Sequence, residues 1–301
     1  HNSMQRIAPL AGLIAGTMLA SVASAQTPYG EWTHGIFSLR SVYVSPTGSN
    51  ANSGLDPANP VQTIDQALQI ADTFLAILYP IDQQAATINL APGVYSVNSS
   101  IEVPAFGVSI EPMWSDDPTD QVTVNLVGGF GNVFQFTQPF GPQVQAAATA
   151  PDIFADIPPS VLRGIRIEGD LGDTGVYINP TLNNPVRNLP ADCAVGIHEC
   201  EFLNLSTGIQ IEKDLRVVQP YRNEIINNDI HVRDWGIEID GGNGMSDLIR
   251  SNRIFDSQVG IKVTNVQGQA PAGGMRPRIL SNAFTNIGAH NVMPVGGLPV
   301  S

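Results

Sequence analysis

One phrase recurs three times in the second half of the chain. It runs Cys200-Glu201-Phe202 to Gly208-Ile209-Gln210-Ile211, then Asn228-Asp229-Ile230 to Gly236-Ile237-Glu238-Ile239, then Asn252-Arg253-Ile254 to Gly260-Ile261-Lys262-Val263. Each copy opens on Cys or Asn, places an apolar residue two positions on, and reaches a Gly six positions after that. The Gly-to-Gly spacings are 28 and 24 residues. A period of this size, built from strand-like pieces and turns, is the signature of a solenoid in which each repeat is one coil. The 301 residues can therefore form one elongated domain instead of the two that length alone would suggest.

Composition agrees. Charged residues make up 14% of the chain, well below the usual share of about 25%. Gly (29) and Pro (23) are abundant, which suits strands broken by many turns and not a helical bundle. The formal charge is −13, so nucleic acid and anionic lipid are poor partners by long-range attraction. An acidic surface suits divalent cations instead. It would repel a polyanionic substrate unless Ca²⁺ or a local basic patch intervened.

Met4 to Ala25 has a basic start, an apolar run from Ile7 to Val22, and Ala23-Ser24-Ala25 at its end. This predicts a secretory signal peptide over 1–25, cut after Ala25, with residues 1–3 an upstream extension. The alternative is a membrane anchor. No other apolar stretch is long enough to span a bilayer, so the mature protein is expected to be secreted, at the cell surface, or periplasmic. Without Arg6 the mature chain carries 13 basic and 27 acidic residues, a net −14. Export permits a Cys193–Cys200 disulfide. However, Cys200 holds the repeat position of Asn228 and Asn252, where a buried free thiol also packs well.

Residues 26–41 read as a lead-in. Val42-Tyr43-Val44-Ser45 reads as a strand, followed by a polar loop to Pro60. Thr63 with Gln66 reads as a capping box, and Ile64, Ala67, Leu68, Ala71, Leu75 and Leu78 follow at helical spacing. The apolar stripe of this helix needs a surface to cover, and the open end of a solenoid offers one. Two Pro-rich interruptions, 137–159 and 180–190, are expected to project as loops.

The opening motifs resemble a known family. Val42-Tyr43-Val44-Ser45-Pro46-Thr47-Gly48-Ser49-Asn50, Ser53-Gly54, Pro60 to Leu68, and Ile88-Asn89-Leu90-Ala91-Pro92-Gly93-Val94-Tyr95 look like the start of secreted right-handed parallel β-helix proteins of the pectate-lyase-like superfamily, with a DUF1565-type N-terminal region. The resemblance covers 42–110 by motif and 160–290 by repeat type. It implies an all-β right-handed parallel β-helix over 42–301, with an N-terminal cap at 42–80 and about eight coils over 87–295. It implies little about activity, because the superfamily holds lyases, hydrolases, epimerases and adhesins.

Alternate strand residues take opposite faces. In Gly-Ile-x-Ile the Ile residues point inward, so Gln135, Tyr177, Gln210, Glu238 and Lys262 are expected in one outward row. Glu212, Asp240 and Thr264 start a second row. Asn228, Asn252 and Asn282 are expected to stack inward as a structural ladder. Glu201, Asp229 and Arg253 would form a further outward row beside Leu203, His231, Phe255 and Thr285, with His231 there for surface packing.

The sharpest functional expectation is a Ca²⁺-assisted polysaccharide lyase. The resemblance implies a Lys or Arg base on the outward sheet and acidic residues holding Ca²⁺. Lys262 is the candidate base, with Glu238 and Asp240 beside it. Glu212 and Asp240 are the candidate metal ligands, and Tyr177, Gln210 and Gln135 the candidate substrate contacts. The plainer reading is that Lys262 and Glu238 are an ordinary cross-strand pair. Lys213 beside Asp214 is the weaker alternative base. Paired carboxylates, Asp240 with Glu212 or Asp234 with Glu238, would suit a glycoside hydrolase. A monomeric non-catalytic scaffold or glycan-binding adhesin needs only the fold and export.

Overall fold

The structure, a computed structural model, describes residues 38–77, 84–113, 117, 119–128, 131–138, 141–142, 159–179, 195–212, 223–240, 247–264 and 277–288. The expected leader, Cys193, Lys213, Leu78 and the 180–190 loop lie outside these residues, as does most of 137–159.

All named strand pairs are parallel, and they form two sheets. The first has eight strands stacked in chain order: Ser38–Val44, Gln84–Leu90, Val108–Pro112, Val161–Arg163, Gly196–His198, Glu224–Ile226, Leu248–Arg250 and Arg278–Leu280. The second has eleven strands and divides into two limbs joined by its longest members, Glu201–Glu212 and Asp229–Asp240. The first limb stacks Gly93–Val97, Val122–Leu126, Arg166–Glu168, the starts of the two long strands, Arg253–Phe255 and Ala283–Thr285. The second limb stacks Ile101–Glu102, Asn132–Phe136, Thr174–Ile178, the ends of the two long strands, and Val259–Thr264. The chain thus passes repeatedly from the first sheet into the second and back, each pass pairing with the one before. This is an all-β, parallel-stranded structure compatible with a β-helix.

The core lies between the strand columns. Ile197, Ile225 and Ile249 stack in one inward row and Phe202, Ile230 and Ile254 in another, all fully buried. Two corners turn the chain. At the first, Glu199, Asn227, Ser251 and Ser281 adopt left-handed φ between 53 and 57°. The following residue then faces inward, which stacks Cys200, Asn228, Asn252 and Asn282. At the second, Asn204, Asp256 and Asn286 adopt the same left-handed φ, 53 to 57°, and the repeated Gly follows where adjacent passes of the second limb come closest. A Cβ on Gly208 would lie 2.6 Å from the carbonyl oxygen of Gly236, and one on Gly236 would lie 2.5 Å from that of Gly260. Adjacent passes approach too closely there for any side chain.

The helix Ile64–Ile77 buries Ile64, Ala67, Leu68 and Ala71 against strands Ser38–Val44 and Gln84–Leu90. Thr63 Oγ1 accepts from the Gln66 amide at 3.2 Å, one half of the expected capping box. The Thr63 amide goes to Asn50 Oδ1 at 3.1 Å, which also takes the Gln62 amide. No described helix is long and apolar enough to cross a membrane.

Candidate functional site

The second limb carries the candidate site, because its inward Ile, Val and Phe residues force the alternate side chains outward. Register sets Gln135 beside Tyr177, Tyr177 beside Gln210, Gln210 beside Glu238, and Glu238 beside Lys262. Glu102 extends this row past Gln135 and accepts from its amide. Two residues on, Glu212, Asp240 and Thr264 form the second row.

The two rows are cross-linked at Glu212, and again where Thr137 Oγ1 donates to Glu102 Oε2 at 2.9 Å. The Tyr177 hydroxyl donates to Glu212 Oε2 at 2.5 Å, and Gln210 Nε2 donates to Glu212 Oε1 at 3.1 Å. Asn179 Nδ2 donates to the Tyr177 oxygen at 3.4 Å. Burial, then the bond to Glu212, pushes the phenol up to about 12. Tyr177 is therefore a neutral donor clamped to a carboxylate.

Lys262 Nζ lies 2.6 Å from Glu238 Oε1 and 4.0 Å from the centre of the Trp235 ring. Its side chain is 27% exposed and that of Glu238 only 8%. The ammonium has donors only, and a carboxylate and an indole face engage it. To remove a proton from a substrate it would have to leave Glu238 and first give up one of its own protons. Asp240 Oδ1 accepts from Thr264 Oγ1 at 2.8 Å.

Glu212 and Asp240 sit side by side, but both Glu212 oxygens already accept hydrogen bonds. No group of three or more His, Cys, Asp or Glu side chains converges as a metal site among the described residues. Asp234 sits at the corner, bound by Ser206 Oγ at 2.7 Å and by Arg233 at 2.6 Å, and Arg233 holds its carboxyl below the usual range. It is committed to the corner and not paired with Glu238.

Sequence reasoning missed Trp235, whose only signal is its place just before the repeat Gly, in register with Thr207 and Val259. Glu102 was also missed, because its strand is two residues long.

The Asn ladder forms inside the molecule. Asn228 Nδ2 donates to Asn252 Oδ1, and Asn252 Nδ2 to Asn282 Oδ1, both at 2.9 Å. Each Nδ2 also reaches a strand carbonyl: Ile197, Ile225 and Ile249. Asn228 Oδ1 accepts from the Cys200 amide at 2.9 Å, and the buried, free Cys200 thiol is pushed up to about 12 by desolvation.

On the first limb, Glu201, Asp229 and Arg253 align, and Arg253 pairs with Asp229. His231 stacks on Phe255 with ring centres 4.3 Å apart and planes within 10°. That is a packing role.

No family model, curated protein or solved structure matches this chain.

Proposed function

We propose that this is an exported right-handed parallel β-helix protein of the pectate-lyase-like kind that binds extracellular polysaccharide on the outward face of its second limb. In this reading about eight coils make up the solenoid, the helix at 64–77 caps its N-terminal end, and the protein acts as a monomer. The observation that carries the proposal is the linked cluster of Tyr177, Gln210 and Glu212 on the outward polar face. Amide, hydroxyl and carboxylate groups held by one another are pre-positioned to exchange hydrogen bonds with sugar hydroxyls, and little side-chain entropy remains to be lost on binding. Gln135 and Tyr177 extend the contact along the stack.

A second reading, a Ca²⁺-assisted polysaccharide lyase, is favoured by Lys262 lying against Glu238 with Asp240 two residues on. It needs Lys262 released from Glu238 by substrate and converted to the neutral amine before it can take a proton. One experiment separates these readings. The mature chain from Gln26 is assayed for binding to a glycan panel and for release of unsaturated uronide, with Ca²⁺ and with chelator. Binding weakened by Gln210→Ala, without product, supports the binding protein. Calcium-dependent product lost in Lys262→Ala supports the lyase, and reducing-sugar release that survives Lys262→Ala points to a hydrolase. Neither binding nor product leaves the scaffold reading and removes ours.

A further inference from the structure

We propose that Trp235 and Tyr177 are two stacking platforms for one glycan, and that they select a flat, ribbon-like chain lying along the stack of passes. The proposal rests on the glycan reading above and names the class of polymer.

Trp235 stands in a third outward row beside the two already described. Its register mates are Thr207 and Val259, and Thr174 and Asn132 continue the row. Pairing in register therefore does not require an indole at this position. The indole is half-buried, so part of its surface meets water. The Lys262 ammonium lies 4.0 Å from the ring centre, and Glu238 holds that ammonium at 2.6 Å. These contacts draw the indole towards the row of Gln210 and Glu238. Tyr177 is also half-buried, and its bond to Glu212 fixes its ring. A ring that is already held loses little freedom when a sugar stacks on it. Each aromatic thus presents an apolar surface beside fixed polar groups. A pyranose needs that combination, because its C–H faces are apolar and its hydroxyl rim is polar.

The spacing of the two aromatics points to the polymer. Tyr177 pairs with Gln210 in the next pass, and Gln210 pairs with Glu238 in the pass that carries Trp235. Their strands are therefore two passes apart, about 9–10 Å along the stack. In a ribbon-like chain of the cellulose type, alternate rings present the same face at a comparable interval. A coiled chain of the amylose type turns successive rings away and cannot meet both platforms. The Gln210 amide stands level with the intervening ring.

The test uses isomers that share composition and charge and differ only in the shape their linkage imposes: cellohexaose with maltohexaose, and oligomannuronate with oligoguluronate of equal length. Titration calorimetry of the full chain measures each Kd. The flat-ribbon member of a pair should bind about tenfold tighter or more. Trp235→Ala should abolish that preference, and Trp235→Phe should restore part of it. If the coiled or buckled members bind equally or tighter, or if a folded Trp235→Ala keeps the full preference, this proposal fails while the glycan reading stands. The same holds if none of the four binds but another glycan of the panel does. If no glycan binds at all, the glycan reading fails and takes this proposal with it. The wild-type comparison needs no variant to fold.

Discussion

Two residues show how far single side chains determine this molecule. Asn252 serves three neighbours at once. Its Oδ1 takes the Asn228 amide at 3.0 Å and the Asn228 side chain at 2.9 Å, and its Nδ2 reaches Ile225 O at 2.9 Å. All of this is out of water. Asn252→Ala would strand two donors and one acceptor, so it should destabilise the protein by about 3 kcal/mol or more. Urea unfolding measures this, and a loss below 1 kcal/mol would show that the ladder contributes little. Tyr177 makes a different prediction. An unperturbed tyrosine ionises near 10, and here the phenol is pushed up to about 12. Between those pH values the unfolded chain gives up the proton first, so the unfolded state gains and stability falls as pH rises. Below pH 10 the contribution is complete. Tyr177→Phe removes the titrating group. The wild type should therefore lose stability faster than the variant from pH 10 to 12, and parallel curves would rule the clamp out.

Elements were legible in the sequence where residue type and period agreed. The Gly-apolar-x-apolar phrase marks the second limb because adjacent passes come too close at its Gly to admit a Cβ. Gly236→Ala places a carbon 2.5 Å from Gly260 O and 2.6 Å from Ile254 Cγ2. This should cost about 1–3 kcal/mol, as overpacking does. A thermal melt tests it, and an unchanged midpoint would mean the corner can give. The outward row was legible for a related reason: strands that repeat in register need only alternation to place Tyr177 beside Gln210. The bonds within the row were not. Whether Glu212 turns to Tyr177 or to a metal depends on side-chain reach and competing partners, which spacing does not encode. The second internal ladder was also hidden. Asn223 Nδ2 meets Asp247 Oδ1 at 3.0 Å, both fully buried, yet neither follows a repeated phrase. Trp235 was read past because its register mates, Thr207 and Val259, differ in kind, so no column of like residues announced it.

At the scale of the whole molecule, stability is a sum of terms between neighbouring passes. Each inward row should then weaken wherever a pass has less packed upon it. The rows show such a gradient. Ile225 and Ile249 are fully buried, but Ile279, next in the same row, is 41% exposed. Ile230 and Ile254 are fully buried, and Phe284 beyond them is 43% exposed. The last Asn of the ladder, Asn282, is likewise less buried than Asn228 and Asn252. Strands Arg278–Leu280 and Ala283–Thr285 have thus lost apolar burial on one side, at roughly 25 cal/mol for each Å² left in water. Local opening should begin there and move inward, since each opened pass uncovers the next. Native-state hydrogen exchange reads this directly. Amides of 278–285 should exchange first, those of Leu248–Arg250 and Arg253–Phe255 more slowly, and those of Gly196–His198 and Phe202–Leu203 near the global limit. Equal protection across all three groups would mean the passes unfold as one unit. The nearest-neighbour account of the fold would then be wrong.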